Sequence, residues 1–249
     1  MTENITNKTV IITGGAKRIG ANIVEFLHSK GMNVLIHFRS SELAANELKD
    51  KLNNIRQGSA EIFQADINDP DSCKNLIEKT LSCFNRIDAL INNASTYFKT
   101  PLNKINIADW DNLMGSNLKG PLFLSKFACD HLRQSHGSII NIADAHINSP
   151  KEDYIVYSIA KAGLITLTKS LAKDLGPEVR VNAIAPGPIV WPENGDAFSR
   201  DYQQKVVSET ILKKTGAPEN ISEAIYFLLE NAPFTTGHIL NVDGGRSFS

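Results

Sequence analysis

The sequence predicts one α/β domain in which a seven-stranded parallel sheet is doubly wound and flanked by helices. Short β-branched and apolar runs alternate with stretches of helical spacing, as they do when crossover helices join parallel strands. The length of 249 residues fits a single hydrophobic core. Hydrophobic residues make up 42% of the chain and charged residues 21%, as in ordinary globular proteins. We therefore expect residues 1–249 to form a single domain.

Seven strands are predicted from short apolar runs that are rich in β-branched residues. In chain order they are Thr9–Ile12, Val34–Phe38, a strand beginning at Ile62–Phe63, Ala89–Ile91, Ser138–Ile142, Val181–Ile184 and Ile239–Val242. If all of them are parallel, ligands bind at their carboxyl ends.

The helices between the strands are predicted from apolar residues that recur three and four positions apart. The first helix follows a glycine-containing turn and ends at Gly31. The apolar positions of the first three helices are Ile19, Ile23, Phe26 and Leu27, then Ala44, Leu48 and Leu52, then Cys73, Leu76, Ile77, Thr80 and Leu81. Strand and helix thus alternate along the chain.

The charge balance gives no reason to expect a nucleic-acid partner. Lys and Arg number 26 and Asp and Glu 27, for a net charge of −1. The first residues lack the basic and apolar regions of a secretory signal, and no apolar run reaches the roughly 18 to 20 residues of a membrane span. We predict a cytoplasmic protein with a small-molecule ligand and no membrane partner.

No metal site is predicted. Cys73, Cys83 and Cys129 have no CxxC spacing, and the six histidines form neither an HxxxH nor an HExxH set. We interpret the cysteines as buried free thiols.

A glycine-containing turn joins the first strand to the first helix. The segment reads TGGAKRIG over residues 13–20, where glycines allow backbone N–H groups to approach a pyrophosphate at the helix N-terminus. Its position is typical of Rossmann-like nucleotide sites, although a purely structural turn stays an alternative. The candidate cofactor contacts are Gly14, Lys17, Arg18, Ile19 and Gly20.

The end of the second strand favours NADP over NAD. An acid that would bind a free ribose 2′-hydroxyl is absent from IHFRSS, residues 36–41. Arg39 and Ser40, with Lys17 or Arg18 opposite, are suited to a 2′-phosphate. His37 is a further candidate contact. The alternative is a solvated basic surface.

Polar residues also follow the third and fourth strands. Asp66 is a candidate acceptor for the adenine amino group, and Asn93 and Ala94 lie at the expected nicotinamide position. Strand-end caps or turn formers are the alternative interpretation.

Tyr157 and Lys161 lie one helical turn apart, so both side chains can face one cleft. The lysine charge favours the phenolate and is expected to lower the pKa of Tyr157, which suits a general acid in carbonyl or imine reduction. An ionised Asp144 nearby would oppose that effect.

These motifs occur in the order and spacing of the short-chain dehydrogenase/reductase family, which the chain resembles over nearly its whole length. The resemblance rests on TGxxxRIG, Asn92–Ala94, Asn117, YxxxK and Pro186–Gly187. It implies a catalytic set of Asn117, Tyr157, Lys161 and, in place of the usual serine, Asp144. It also implies cofactor contacts from Ser95, Tyr157, Lys161, Pro186 and Gly187, a water-linked path from Asn117 to Lys161, and a homotetramer.

Two departures coincide and make the chain similar to the pteridine reductase subgroup. Arg18 replaces the middle glycine of the nucleotide motif, and Asp144 stands thirteen residues before Tyr157. The resemblance implies reduction of a dihydropterin or dihydrofolate to its tetrahydro form with NADPH. Asp144 and Tyr157 would deliver protons, and Lys161 would tune Tyr157 and hold the nicotinamide ribose. The implied substrate contacts are Ser95, Tyr97, Asp144, Tyr157 and Trp191. The alternative for Tyr97 is a loop aromatic packed on the surface, and for Trp191 it is a core or subunit-contact role.

Two other interpretations stay open. A carbonyl reductase of the same family, acting for instance on 3-oxoacyl thioesters, accounts for the fold and cofactor but not for Asp144. A non-catalytic dinucleotide sensor does not require Tyr157 and Lys161 to occur together.

Overall fold

Seven parallel strands form one sheet in the computed structural model, which describes residues 7–191 and 199–248. The strand order is β3-β2-β1-β4-β5-β6-β7, so the direction of winding reverses between β1 and β4. The strands are β1 Thr9–Ile12, β2 Asn33–Phe38, β3 Ala60–Gln64, β4 Ala89–Asn92, β5 Ser138–Ile142, β6 Arg180–Pro186 and β7 Ile239–Val242. The predicted doubly wound parallel sheet is confirmed.

Strand pairing moves five of the predicted boundaries, three of them by one residue: β2 begins at Asn33, β4 ends at Asn92 and β6 begins at Arg180. β3 begins at Ala60 rather than Ile62, because the buried Ala60 pairs with Val34 of β2. β6 continues to Pro186, which is in register with Val242 of β7.

Eight α-helices flank the sheet within the described residues. They are α1 Arg18–Ser29, α2 Glu42–Ile55, α3 Pro70–Phe84, α4 Ile107–Met114, α5 Gly120–Gln134, α6 Ile155–Leu175, α7 Arg200–Ser208 and α8 Pro218–Tyr226. A π-helical segment, Gly115–Lys119, joins α4 to α5. In α2 the side chain that enters the core beside Leu48 and Leu52 is that of Ala45, not the predicted Ala44. Of the cysteines predicted to be buried, Cys73 is buried, but Cys83 is exposed and Cys129 is partly buried.

The core consists of two apolar layers, one on each face of the sheet. Successive residues of β1 divide between them, since Val10 and Ile12 belong to one layer and Ile11 to the other. The first layer packs against α1, α2 and α8, and the second against α3 and α5. Burial of each such aliphatic side chain contributes about 1.5–3 kcal/mol. The helices thereby hold the carboxyl ends of the strands at one edge.

Helix α6 is long and apolar. It has 21 residues and a window of mean hydropathy 1.2, so by length and composition it meets the criteria of a membrane span. The sequence analysis predicts no membrane span here, since polar residues such as Ser158 and Lys161 interrupt the apolar run. The helix packs on β6 and α4, and core helices of globular domains meet the same criteria.

Candidate active site

The carboxyl ends of the central strands open into a cleft of about 470 Å³, here called the main cleft. Fifteen of the predicted site residues line it: Gly14, Lys17, Arg18, Ile19, Gly20, Asn93, Ala94, Ser95, Tyr97, Asp144, Tyr157, Lys161, Pro186, Gly187 and Trp191. A neighbouring cleft of about 210 Å³ is lined by His37, Arg39, Ser40 and Asp66, and both clefts include Gly14, Lys17, Ala94 and Ser95. The predicted residues therefore lie along one continuous edge of the sheet.

Gly14 and Gly20 of the turn have no room for a side chain. Gly14 has a φ of +61°, a conformation that costs glycine little. A Cβ on Gly20 would lie 2.0 Å from the Gly14 carbonyl oxygen. The Thr13 hydroxyl accepts from the backbone N–H groups of Asn93 and Ala94, both at 2.9 Å, and so ties the turn to the end of β4. The turn leaves an open backbone cradle of the kind that a dinucleotide requires.

Arg18 adopts the left-handed conformation, with a φ of 54°, at the position where the motif usually has glycine. That conformation costs a non-glycine residue roughly 1–2 kcal/mol. Its guanidinium donates to the carbonyls of Val190 and Trp191 at 3.2 and 3.3 Å, in the loop after β6. Arg18 lines the main cleft only, whereas Lys17 lines both clefts. Of the two predicted partners for a 2′-phosphate, Lys17 is therefore the better placed.

His37 has a structural role beneath the turn. Its Nδ1 accepts from the Gly14 N–H at 3.1 Å and its Nε2 is 3.1 Å from the Ala65 carbonyl, which fixes the neutral tautomer with the proton on Nε2. Burial lowers the pKa of His37 to about 4. Both ring nitrogens are thus bonded within the protein, so neither is available for the predicted cofactor contact. Arg39, Ser40 and Asp66 are exposed around the smaller cleft.

Asp144 and Tyr157 meet in the main cleft. The Tyr157 hydroxyl donates to Asp144 Oδ2 at 2.8 Å. The other carboxylate oxygen accepts from the backbone N–H of His146 at 2.8 Å and from its ring Nδ1 at 2.9 Å. Burial alone would raise the pKa of Asp144, but the bonds from His146 and Tyr157 lower it to about 2. Asp144 is therefore an ionised acceptor rather than the proton donor that the sequence allowed.

The phenol of Tyr157 holds its proton firmly. Burial, followed by the charge and hydrogen bond of Asp144, raises the pKa of Tyr157 well above its usual value. Lys161 donates to the Ile142 carbonyl at 2.7 Å, and its Nζ lies 5.8 Å from the centre of the Tyr157 ring. Burial lowers the pKa of Lys161 to about 8. The predicted lowering of the phenol pKa by lysine is thus wrong for this state, and the predicted opposition from Asp144 prevails.

Asn117 lies behind the cleft, in the π-helical segment, and is fully buried. Its amide donates to the carbonyls of Leu113 and Thr96, and its Oδ1 accepts from the Ser95 hydroxyl at 2.7 Å. Asn117 therefore holds the loop that follows β4. The water-linked path to Lys161 stays a prediction.

Aromatic rings form one wall of the main cleft. Tyr97 stacks on Tyr154 with centroids 4.6 Å apart and 13° between planes, and it meets Tyr157 edge-on at 4.8 Å. Lys151 Nζ is 3.4 Å from the Tyr97 hydroxyl. Flat faces of this kind suit a planar heterocycle.

Sequence reasoning missed several residues of the main cleft: His146, Lys151, Tyr202, Val206 and Arg246. The signal for His146 is weak but present, because an Asp that caps a helical turn accepts from the residue two positions later. The others come from α7, the C-terminal turn and the segment before α6, where no motif marks them.

Comparisons with known proteins agree with this geometry. A family model described as enoyl-(acyl carrier protein) reductase matches residues 14–247. The chain is 32% identical to pteridine reductase 1 of Leishmania tarentolae, over 100% of this chain and 99% of that protein. It is 31% identical to glucose 1-dehydrogenase 2 of Bacillus subtilis, over 99% and 97%.

A solved structure is similar to this chain over nearly its whole length. The crystal structure of a metagenomic blue fluorescent protein in complex with NADPH superimposes with a TM-score of 0.91 at 28% identity, covering 98% of this chain and 99% of that one. With the family match over most of its length, the chain belongs to the short-chain dehydrogenase/reductase family of oxidoreductases.

Proposed function

We propose that the protein reduces a C=N bond of a dihydropterin or dihydrofolate to the tetrahydro form, with NADPH as reductant. The observation that carries this proposal is an ionised carboxylate, Asp144, bonded at 2.8 Å to the Tyr157 hydroxyl in the position where the family usually has serine. A carboxylate accepts from ring N–H and amino groups, which pterins have and simple ketones lack. The Tyr97 wall supplies a face for the flat ring.

The chain's residues fit NADPH. Gly14 and Gly20 leave the backbone cradle open, and residues 39–41, directly after β2, include no acid. Arg39, Ser40 and Lys17 surround the smaller cleft, where a 2′-phosphate would bind. The NADPH of the similar metagenomic protein supports this assignment. When bound, the cofactor supplies a hydride to the substrate carbon.

The proton that the substrate nitrogen gains comes from a side chain of the protein. As the carbon of the C=N bond gains hydride, its nitrogen takes the proton of the Tyr157 hydroxyl, so the product carries new C–H and N–H bonds. Lys161 stabilises the phenolate that remains. The two bonds from His146 keep Asp144 ionised and fixed, so that it can orient the ring.

A carbonyl reductase is the second candidate, because the Tyr157–Lys161 pair also suits ketones and glucose 1-dehydrogenase 2 is similar at nearly the same identity. The test is NADPH oxidation by the purified protein with dihydrobiopterin, dihydrofolate and small ketones. We expect the highest kcat/KM with a dihydropterin or dihydrofolate. Faster turnover of ketones would favour the second candidate.

Arg39→Ala is expected to weaken NADPH binding and leave NADH binding nearly unchanged. A charge-assisted hydrogen bond contributes about 1.5–3 kcal/mol, but Arg39 is exposed, so we expect a loss near the lower end, about tenfold in Kd. Fluorescence titration with both cofactors measures it. Equal losses for the two would show that Arg39 does not contact the 2′-phosphate.

We also propose that exposed apolar side chains near the starts of α5 and α6 lie in subunit contacts of a homotetramer. Leu122, Ile155 and Ile159 are 42%, 38% and 45% exposed there. Ile159→Glu is expected to reduce the mass measured by light scattering, because it places a charge in an apolar contact. Ile55→Glu, at the exposed end of α2, is the control and should not change the mass. An unchanged mass for Ile159→Glu would contradict this contact.

A further inference from the structure

A second chamber adjoins the main cleft. It has a volume of about 510 Å³ and lies between the segment before α6, helix α7 and the C-terminal turn. Five residues line both the chamber and the main cleft: His146, Lys151, Tyr202, Val206 and Arg246. A ligand in the main cleft therefore has a continuous path into the chamber, and Lys151, beside the Tyr97 hydroxyl, stands at the boundary.

The chamber carries an excess of positive charge among its described residues. Lys151, Lys205 and Arg246 are cationic, and Glu209 is the one carboxylate that lines it within that part of the chain. Glu209 forms an ion pair with Arg246. Lys151 is half-buried, and Lys205 is exposed on α7. The two lysines are thus positioned to attract an anion that enters along the path.

The proposed pterin reduction does not require this charge. A pterin ring bonds through its ring nitrogens and amino group, for which Asp144 and the Tyr97 wall suffice. Two further cations at the exit of the cleft suit a ring substituent that is itself anionic.

We propose that this chamber binds the carboxylates of an amino-acid tail, so that the preferred substrate is a pterin conjugated to such a tail, of the dihydrofolate class, rather than an unconjugated dihydropterin. The inference rests on the proposed function and narrows it. The ring lies against Tyr97, the linker passes Lys151, and the tail carboxylates meet Lys151 and Lys205.

The experiment compares two substrates that share the reacting ring. kcat/KM is measured for dihydrofolate and for dihydrobiopterin, whose side chain is uncharged, with wild type, Lys205→Glu and Lys151→Gln. The ratio of dihydrofolate to dihydrobiopterin is expected to fall about tenfold in Lys205→Glu, mainly through KM, since a charge-assisted contact at an exposed site lies at the low end of such contributions. Lys169→Glu, on the exposed part of α6, is the matched control and should leave the ratio unchanged.

Calorimetry with p-aminobenzoylglutamate tests the tail-binding chamber independently of the proposed pterin reduction. This compound carries the tail without the ring, so its binding does not depend on pterin chemistry. We expect it to bind wild type and to bind Lys205→Glu more weakly. A ratio that stays constant in both lysine variants would overturn the tail assignment while pterin reduction stands. If wild type reduces neither substrate, the proposed function fails, and absence of p-aminobenzoylglutamate binding would then overturn the chamber assignment as well.

Discussion

Tyr157→Phe is expected to reduce kcat for dihydropterin about 10²- to 10⁴-fold, the usual contribution of a general acid. The substitution removes only the hydroxyl that donates to Asp144, and the ring still packs edge-on against Tyr97. Asp144 keeps both bonds from His146, so the fold and NADPH binding should persist. Single-turnover kinetics at saturating NADPH, together with cofactor titration, measures the effect.

Tyr226→Phe is the matched control for this experiment. Tyr226 lies at the end of α8, where its ring meets Phe26 edge-on, away from both clefts. Its activity should equal that of wild type. Turnover of Tyr157→Phe at the wild-type rate would remove this hydroxyl from the mechanism.

Asp144→Ser is expected to abolish most dihydropterin reduction and to preserve or improve any reduction of small ketones. The loss should reach about 10- to 10²-fold, because the carboxylate already accepts three bonds and has room for one charge-assisted bond to a ring N–H group, which contributes about 1.5–3 kcal/mol. The gain on ketones follows from Tyr157, since removal of the adjacent negative charge lowers the pKa of its phenol toward the usual range. The measurement is kcat/KM on both substrate classes.

Asp144→Asn provides the comparison at nearly constant side-chain size. It retains one acceptor oxygen but lacks the charge, so it should also lose dihydropterin reduction. If either variant reduced dihydropterin at the wild-type rate, the carboxylate would have no part in substrate recognition. The carbonyl reductase interpretation would then be preferred.

The sheet could be predicted because its signal is local. Buried parallel strands such as Ser138–Ile142 are short continuous apolar runs. The turn at Gly14–Gly20 comes directly after the first strand, Thr9–Ile12. The end of each strand fixes where its polar residues lie. Tyr157 and Lys161 could be assigned to one cleft from their spacing on a helix, and Asp144 from the resemblance to the family.

The partners and burial of individual site residues could not be predicted, because they depend on contacts between segments that are distant in the sequence. Whether Arg18 faces a phosphate or the carbonyl of Trp191 is decided by where the loop after β6 lies, 173 residues further along the chain. The sequence predicts His37 as a cofactor contact, but its ring is buried under Gly14 and both ring nitrogens are bonded within the protein. The pKa of Tyr157 likewise reflects an approach to Asp144 and a degree of burial that spacing alone does not determine.

The bonds from Arg18 to the loop after β6 determine which ligands can separate that loop from the cofactor turn. The guanidinium joins a residue of the cofactor turn to two neutral carbonyl oxygens, those of Val190 and Trp191. A ligand that displaces it must offer replacement acceptors. Anionic phosphate oxygens bond to arginine more strongly than neutral carbonyls do, whereas a molecule without acceptor atoms leaves the guanidinium unpaired. Separation of turn and loop is thus favoured by a phosphate-bearing molecule and disfavoured by a molecule that has no acceptor atoms.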